Sequence, residues 1–128
     1  AMTDLEEIEA IKRLKYRYVR ALDQKHWDEL AECLTEDCRS AYGDGHFSFD
    51  GRAAILTFLR DALGPLTRIS SHRVHQPEID LTSPTTATGV WALDCAGSTP
   101  DRPAWRCASG RCWCSRRATP TWRLERPR

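Results

Sequence analysis

Apolar residues recur at helical spacing in three stretches of this chain. In residues 4–22 they fall three or four positions apart, and the same spacing returns in residues 27–34 and 52–63. An apolar stripe with this period is typical of a helix that buries one face. We therefore predict three amphipathic helices: a long one, a short one, and one that Gly64-Pro65 ends.

The first predicted helix alternates its apolar stripe with basic residues. The stripe comprises five residues: Ile8, Ile11, Leu14, Tyr18 and Leu22. Four basic residues are predicted to lie on the exposed side: Lys12, Arg13, Lys15 and Arg17. Thr3 or Asp4 can cap the helix, with acidic residues in the first turn where the helix dipole favours anions.

The remaining periodic segments are predicted to be strands. Residues 38–42 and 46–49 flank a glycine-rich turn and indicate a short hairpin. Residues 67–81 and 86–94 form two longer candidates, with Pro77 near a bend or an edge. Helices followed by antiparallel strands predict an α+β fold, with the helices gathered on one side of a curved sheet.

The last 34 residues differ in composition from the rest. Residues 1–94 carry 11 basic and 16 acidic residues, whereas residues 95–128 carry eight Arg, four Cys, three Trp, four Pro and two acidic residues. No strand or helix period continues there. We therefore divide the chain into a domain body, 1–94, and an atypical tail, 95–128, which takes the place of the final strands.

Three interpretations of this tail remain open. A reading-frame shift near residue 94 or 95 would explain Cys112-Trp113-Cys114, because GC-rich codons for this stretch, read two bases on, encode Leu-Leu-Val. A disordered basic tail is the second, and a zinc-binding tail is the third, although the paired Cys-x2-Cys spacing of strong zinc sites is missing.

The composition otherwise fits one soluble domain. The chain has 128 residues, of which 41% are hydrophobic and 29% charged, and no apolar run approaches the roughly 20 residues of a membrane helix. The acidic N-terminus is not typical of a targeting peptide, so we expect a cytoplasmic protein. The six cysteines are then expected to be buried or free thiols rather than a disulfide framework.

Five segments carry a resemblance to a known family. They are Tyr18-Val19-Arg20-Ala21-Leu22-Asp23-Gln24-Lys25-His26-Trp27-Asp28-Glu29-Leu30 with Leu34-Thr35-Glu36-Asp37, Gly51-Arg52-Ala53-Ala54-Ile55, Ser71-His72, and Pro77-Glu78-Ile79. Over about residues 5–94 the chain resembles the SnoaL-like domains of the nuclear-transport-factor-2-like (NTF2-like) superfamily. The resemblance implies an NTF2-like cone, in which three N-terminal helices pack on a curved antiparallel sheet that encloses a pocket.

The resemblance also implies a site. The nearest catalytic patterns are those of scytalone dehydratase, hexachlorocyclohexane dehydrochlorinase and bile-acid 7α-dehydratase, which use an Asp–His pair in the cone; these positions match Asp23 and His72. Pocket tyrosines match Tyr18 and Tyr42. The implied pocket wall has five members: Trp27, Leu22, Phe58, Val74 and Trp91. Trp91 departs from the pattern, since those enzymes have a polar residue there.

The chemistry of this pair is acid–base chemistry without a cofactor or metal. A neutral imidazole can abstract a proton near pH 7, and a carboxylate on its other nitrogen fixes the tautomer. The sequence predicts a lyase or isomerase, dehydratase- or cyclase-like, acting on a small, apolar, polyketide- or steroid-like ligand.

A non-catalytic interpretation is also open. Asp23 could serve only as a helix cap, and His72 could be a hydrogen-bonded wall residue. The alternative function is therefore a non-catalytic ligand-binding or oligomerisation module. We further expect a homodimer or homotrimer, and neither nucleic acid nor membrane as a partner.

Overall fold

Up to residue 98, helices and strands follow one another along the chain as the apolar pattern predicts. A computed structural model describes residues 3–42 and 45–101, and the backbone of 105–116 and 122–124. The helices are α1 (Asp4–Gln24), α2 (Trp27–Glu32) and α3 (Arg52–Leu63). The strands are β1 (Arg39–Tyr42), β2 (Phe47–Asp50), β3 (Ile69–Ser83), β4 (Thr86–Ser98), β5 (Trp105–Arg116) and β6 (Trp122–Leu124). The predicted α+β class is confirmed.

Local signals in the sequence set the ends of the first helix. Thr3 caps α1 with its side chain, and Glu6 returns a contact to the Thr3 backbone, which completes a capping box. At the other end Lys25 adopts the left-handed conformation, with φ 59°, and its N–H donates to helix carbonyls. The helix therefore runs two residues further than predicted, and this extension includes Asp23.

The strands form two antiparallel sheets. One pairs β1 with β2, and the other has the order β3-β4-β5-β6. Gly43 and Asp44 of the predicted hairpin turn lie outside the described residues. In β3 the register shifts between His75 and Glu78, where Gln76 has φ 49° and Pro77 follows. The expected irregularity at Pro77 is thus a bulge, which bends the long strand.

Two groups of buried side chains hold the helices and sheets together. The larger one lies between α1, α2, α3 and β1, and includes Leu22 and Leu30. The smaller one, with Ile11, Ala87 and Trp91, lies between α1 and the β3–β4 sheet. Because α1 contributes side chains to both groups, its buried face connects them.

The second long strand continues past the change in composition at residue 94. β4 continues to Ser98, four residues beyond the predicted end at residue 94, and the backbone of 105–116 pairs with it as β5. Cys95 is disulfide-bonded, which overturns the expectation of a thiol there, whereas Cys33 and Cys38 are buried thiols, as expected. The division into a body and a tail, and the frameshift hypothesis, stay predictions.

No helix among the described residues is long and apolar enough to cross a membrane. The cytoplasmic location stays a prediction.

Candidate active site

The end of α1 meets the start of β3 through Asp23. Its Oδ1 lies 2.6 Å from Nδ1 of His72 and accepts a hydrogen bond of 2.9 Å from Oγ of Ser70. Its Oδ2 accepts one of 2.8 Å from the backbone N–H of His72. The sequence places Asp23 and His72 49 residues apart, and the fold brings them into direct contact.

Strand alternation explains which groups Asp23 can reach. Ser70 and His72 are two residues apart on β3, so their side chains point to the same face of the sheet. Ser71 and Arg73 are exposed on the other face, as is His75. Sequence reasoning missed Ser70, although this alternation would have placed it beside His72.

The contacts of Asp23 set its charge state. Burial would raise the pKa of its carboxyl, but the hydrogen bonds from the side chain and backbone of His72, together with that from Ser70, outweigh this and lower the pKa. The Asp23 and His72 side chains are 21% and 16% exposed. The carboxylate is therefore ionised near pH 7 in a half-buried position.

An ionised carboxylate next to Nδ1 selects one tautomer of His72. With its hydrogen on Nδ1, donated to Asp23, the ring keeps its basic lone pair on Nε2. The carboxylate also stabilises the imidazolium that forms when Nε2 takes up a proton. This arrangement suits a general base.

The two tyrosines of the implied site also come together. The hydroxyl of Tyr18 lies 3.4 Å from that of Tyr42. Tyr18 is buried on α1, and the Tyr42 ring stacks on Phe58 at a centroid distance of 5.5 Å. α1 is helical through Gln24, so Tyr18, five residues before Asp23, points in a different direction from it. The tyrosine pair is thus a separate group of donors, one on α1 and one on β1.

The five residues of the implied pocket wall divide between the two buried groups. Leu22 belongs to the larger group, and Phe58 and Trp27 pack against it, whereas Trp91 belongs to the smaller group and Val74 packs against that one. The guanidinium of Arg60 lies over the Trp27 ring, 5.8 Å from its centroid, which places Trp27 at the contact of α2 with α3. Trp91 is 1% exposed, and its assignment to the pocket wall stays a prediction.

One residue lies where the sequence analysis did not place it. Lys15 was predicted on the exposed side of α1, but it is only 5% exposed. It follows Ile11 by four positions and precedes Tyr18 by three, so the helical period places it on the buried face. The spacing therefore predicts that Lys15 is buried, whereas its charge alone predicts that it is exposed.

The fold and this acid–base pair define an α+β cone domain with a candidate active site at the junction of α1 and β3. The sequence profile of the SnoaL-like domain matches residues 3–128, and the chain belongs to that family. The match extends past residue 94, where the resemblance in the sequence was expected to end. Membership of the NTF2-like superfamily is confirmed.

Solved structures agree with this assignment. A putative scytalone dehydratase from Novosphingobium aromaticivorans is 28% identical, with a TM-score of 0.82 over 94% of this chain and 80% of that one. A putative aromatic ring hydroxylase from the same organism is 22% identical, with a TM-score of 0.81 over 96% and 87%. A hexachlorocyclohexane dehydrochlorinase from Novosphingobium barchaimii is 17% identical, with a TM-score of 0.78 over 94% and 82%. The last two similarities establish the fold alone.

Proposed function

We propose that this protein is a cofactor-free lyase or isomerase that acts on a small, largely apolar molecule of polyketide or steroid type. His72 is the general base, Asp23 orients it, and Tyr18 or Tyr42 donates a hydrogen bond to the ligand. In an elimination, Nε2 of His72 takes a proton from carbon, and the C–H electron pair forms a double bond as the leaving group departs.

The observation that carries this proposal is the contact of 2.6 Å between Nδ1 of His72 and Oδ1 of Asp23. A histidine that only filled a wall would not need an ionised partner, and a helix cap would not need a histidine. The three hydrogen bonds to Asp23 fix both side chains, so the base is in its reactive tautomer before a ligand arrives.

The names of two structural neighbours point to the same reaction class. A dehydratase and a dehydrochlorinase both catalyse eliminations, in which a proton and a leaving group are lost. Because one fold supports many functions, this similarity supports the proposal only together with the acid–base pair.

The test uses a substrate that requires nothing but a positioned base. In the ring opening of 5-nitrobenzisoxazole, a base removes the ring C–H proton, the N–O bond breaks, and a coloured cyano-nitrophenolate forms. We expect His72→Gln to lower the rate by about 10²–10⁴-fold, the usual contribution of general base catalysis. The matched control is His75→Gln, because His75 is exposed on the opposite face of the same strand.

Each outcome decides between the two functions. A rate that falls with His72→Gln and is unchanged with His75→Gln supports catalysis. A wild-type rate equal to that of His72→Gln contradicts the proposed base and favours the non-catalytic binding module.

We also propose that the protein is a homodimer or homotrimer. The four-stranded sheet begins with β3, a strand of 15 residues at the end of the strand order. Edge strands of this length expose backbone groups that pair readily with another chain. Size-exclusion chromatography with light scattering should give two or three times the chain mass of 14.6 kDa, and a monomer would contradict the proposal.

A further inference from the structure

Lys25 directly follows the last residue of α1, and its backbone is unusual for a lysine. Its φ of 59° lies in the left-handed region, which disfavours a side chain, and glycine is the usual residue at this point of a helix end. The residue is half-buried. A lysine in a position that suits glycine calls for an explanation by what its side chain contacts.

The Lys25 ammonium joins three segments of the chain. Its Nζ donates hydrogen bonds to the backbone carbonyl of Leu63, the last residue of α3, and, at 2.7 Å, to that of Arg68. Arg68 directly precedes the first residue of β3. The C-terminal end of a helix carries partial negative charge, and hydrogen bonds from a cation are strong. One side chain therefore holds the end of α1, the end of α3 and the start of β3 together.

Further hydrogen bonds fix the loop between α3 and β3. The Arg68 guanidinium donates to the carbonyl of Ala62 at 2.8 Å, and the Arg68 backbone N–H donates to the carbonyl of Pro65 at 2.9 Å. Both bonds hold the loop against the end of α3. A shift of the Arg68 carbonyl would therefore move the first residues of β3 with it.

The candidate active site begins immediately after this loop. Ser70 and His72 follow Arg68 by two and four residues on β3. Both bind Asp23, which precedes Lys25 by two residues. The end of α1 is thus attached to the start of β3 at two neighbouring points. A displacement of about 1 Å in a catalytic group can lower a rate by about 10²-fold, so the second attachment bears on the first.

We propose that Lys25 is a positioning residue for the acid–base pair. This inference rests on the proposed function and adds a residue that acts through backbone groups rather than on the ligand. By holding the carbonyl of Arg68, the ammonium sets the distance between the end of α1 and the start of β3. It thereby keeps Oδ1 of Asp23 in contact with Nδ1 of His72.

Lys25→Gly separates this role from that of ending the helix. Glycine suits the left-handed backbone, so the helix end should persist while the ammonium is lost. We expect the ring opening of 5-nitrobenzisoxazole to slow by about 10- to 100-fold, as for a misplaced base. Lys25→Arg should keep the rate to within about threefold of wild type, because a guanidinium can donate to both carbonyls.

Proton NMR provides a second readout that needs no turnover. The Nδ1 hydrogen of His72 is donated to an ionised carboxylate in a half-buried position, and should give a signal far downfield of the backbone amides. We expect this signal in wild type and in Lys25→Arg. It should disappear in Lys25→Gly, because a hydrogen that Asp23 no longer holds exchanges rapidly with water.

Thr3→Ala is the matched control for stability. Thr3 caps the opposite end of α1, and the loss of such a cap destabilises a helix. This variant should change neither the rate nor the downfield signal. All variants are compared under conditions in which circular dichroism shows that they are folded. Lys25→Met, which keeps the apolar stem of the side chain, should show the same two losses as Lys25→Gly.

Several results would overturn the positioning role. One is a Lys25→Gly or Lys25→Met variant that keeps both the wild-type rate and the downfield signal. Another is the same pair of losses in Thr3→Ala, since this would indicate general destabilisation. A wild-type rate equal to that of His72→Gln would contradict the proposed function. The downfield signal would still report whether Lys25 holds the pair in place, so the two proposals can fail separately.

Discussion

Replacing Asp23 by Asn should reverse the tautomer of His72. An Asn side chain has one accepting oxygen and one donating NH2 group in place of two accepting oxygens. The backbone N–H of His72, which now donates to Oδ2 at 2.8 Å, can only donate, so the amide oxygen must face it. The NH2 group then faces Oγ of Ser70 and Nδ1 of His72, both of which can become acceptors.

As a consequence, Nε2 of His72 loses its basic lone pair. Once Nδ1 accepts a hydrogen bond, the ring hydrogen moves to Nε2, which can no longer take a proton from a ligand. We expect the elimination rate to fall by about 10²–10⁴-fold, the general-base contribution. The fold should persist, with a loss of about 1 kcal/mol in the free energy of unfolding, because hydrogen bonds to a charged group become neutral ones.

The same variant makes a prediction about pH. The pKa of Asp23 is lower in the folded protein than in the unfolded chain, where it is about 3.9. Its stabilising contribution is therefore complete above that value and is lost as the pH falls through the lower folded pKa. The stability difference between wild type and Asp23→Asn, measured by urea unfolding, should therefore shrink as the pH falls below about 4.

Nitrogen NMR of the imidazole ring measures the tautomer directly. Wild type should carry its ring hydrogen on Nδ1, and Asp23→Asn should carry it on Nε2, with the elimination rate measured on the same samples. If Asp23→Asn kept the Nδ1 hydrogen and the wild-type rate, the assignment of Asp23 as the orienting group would be refuted. If the tautomer reversed and the rate did not change, His72 would not be the base.

Two further substitutions test the supports of the site. Lys25 follows Asp23 by two residues, and its Nζ donates hydrogen bonds to the backbone carbonyls of Leu63 and Arg68. Lys25→Met should therefore lower the free energy of unfolding, measured in urea, by about 1–3 kcal/mol. Lys25→Arg should lower it by less. A Cβ at Gly89 would come within 2.5 Å of the buried ring of Trp91. Gly89→Ala should therefore lower the free energy of unfolding by about 1–3 kcal/mol and lower the melting temperature. An unchanged melting temperature would show that the ring can move.

The helices were predictable because each buries one face. Apolar spacing gave the ends of α3 as observed and those of α1 to within two residues, since Gly64-Pro65 and Thr3 are strong stop and start signals. The predicted second helix was two residues too long, because Cys33 already serves as its C-terminal cap. β3 begins and ends two residues later than predicted. Such ends depend on hydrogen bonds to distant residues, which local patterns do not contain.

The resemblance to known enzymes predicted the positions of Asp23 and His72, but the sequence did not predict that their side chains are in contact. Nothing in the local sequence relates Asp23 to His72, because their contact depends on how α1 packs on β3. The resemblance supplied both positions, and the structure adds the atoms that join them, including the missed donor Ser70. β5 was not predictable, since residues 105–116 have the composition of a polar, cysteine-rich segment, although their backbone pairs with β4.

Lys15 indicates how the sequence could have revealed more of the buried face of α1. A helix that buries its face for stability alone would place an apolar residue between Ile11 and Tyr18, and a lysine there loses hydration that the fold must compensate. On α1 the ammonium of Lys15 lies beside the rings of Tyr18 and Trp91, which contribute to that compensation. The spacing of Lys15 from Ile11 and Tyr18 should therefore be considered before its charge, because the spacing determines which face of the helix its side chain lies on.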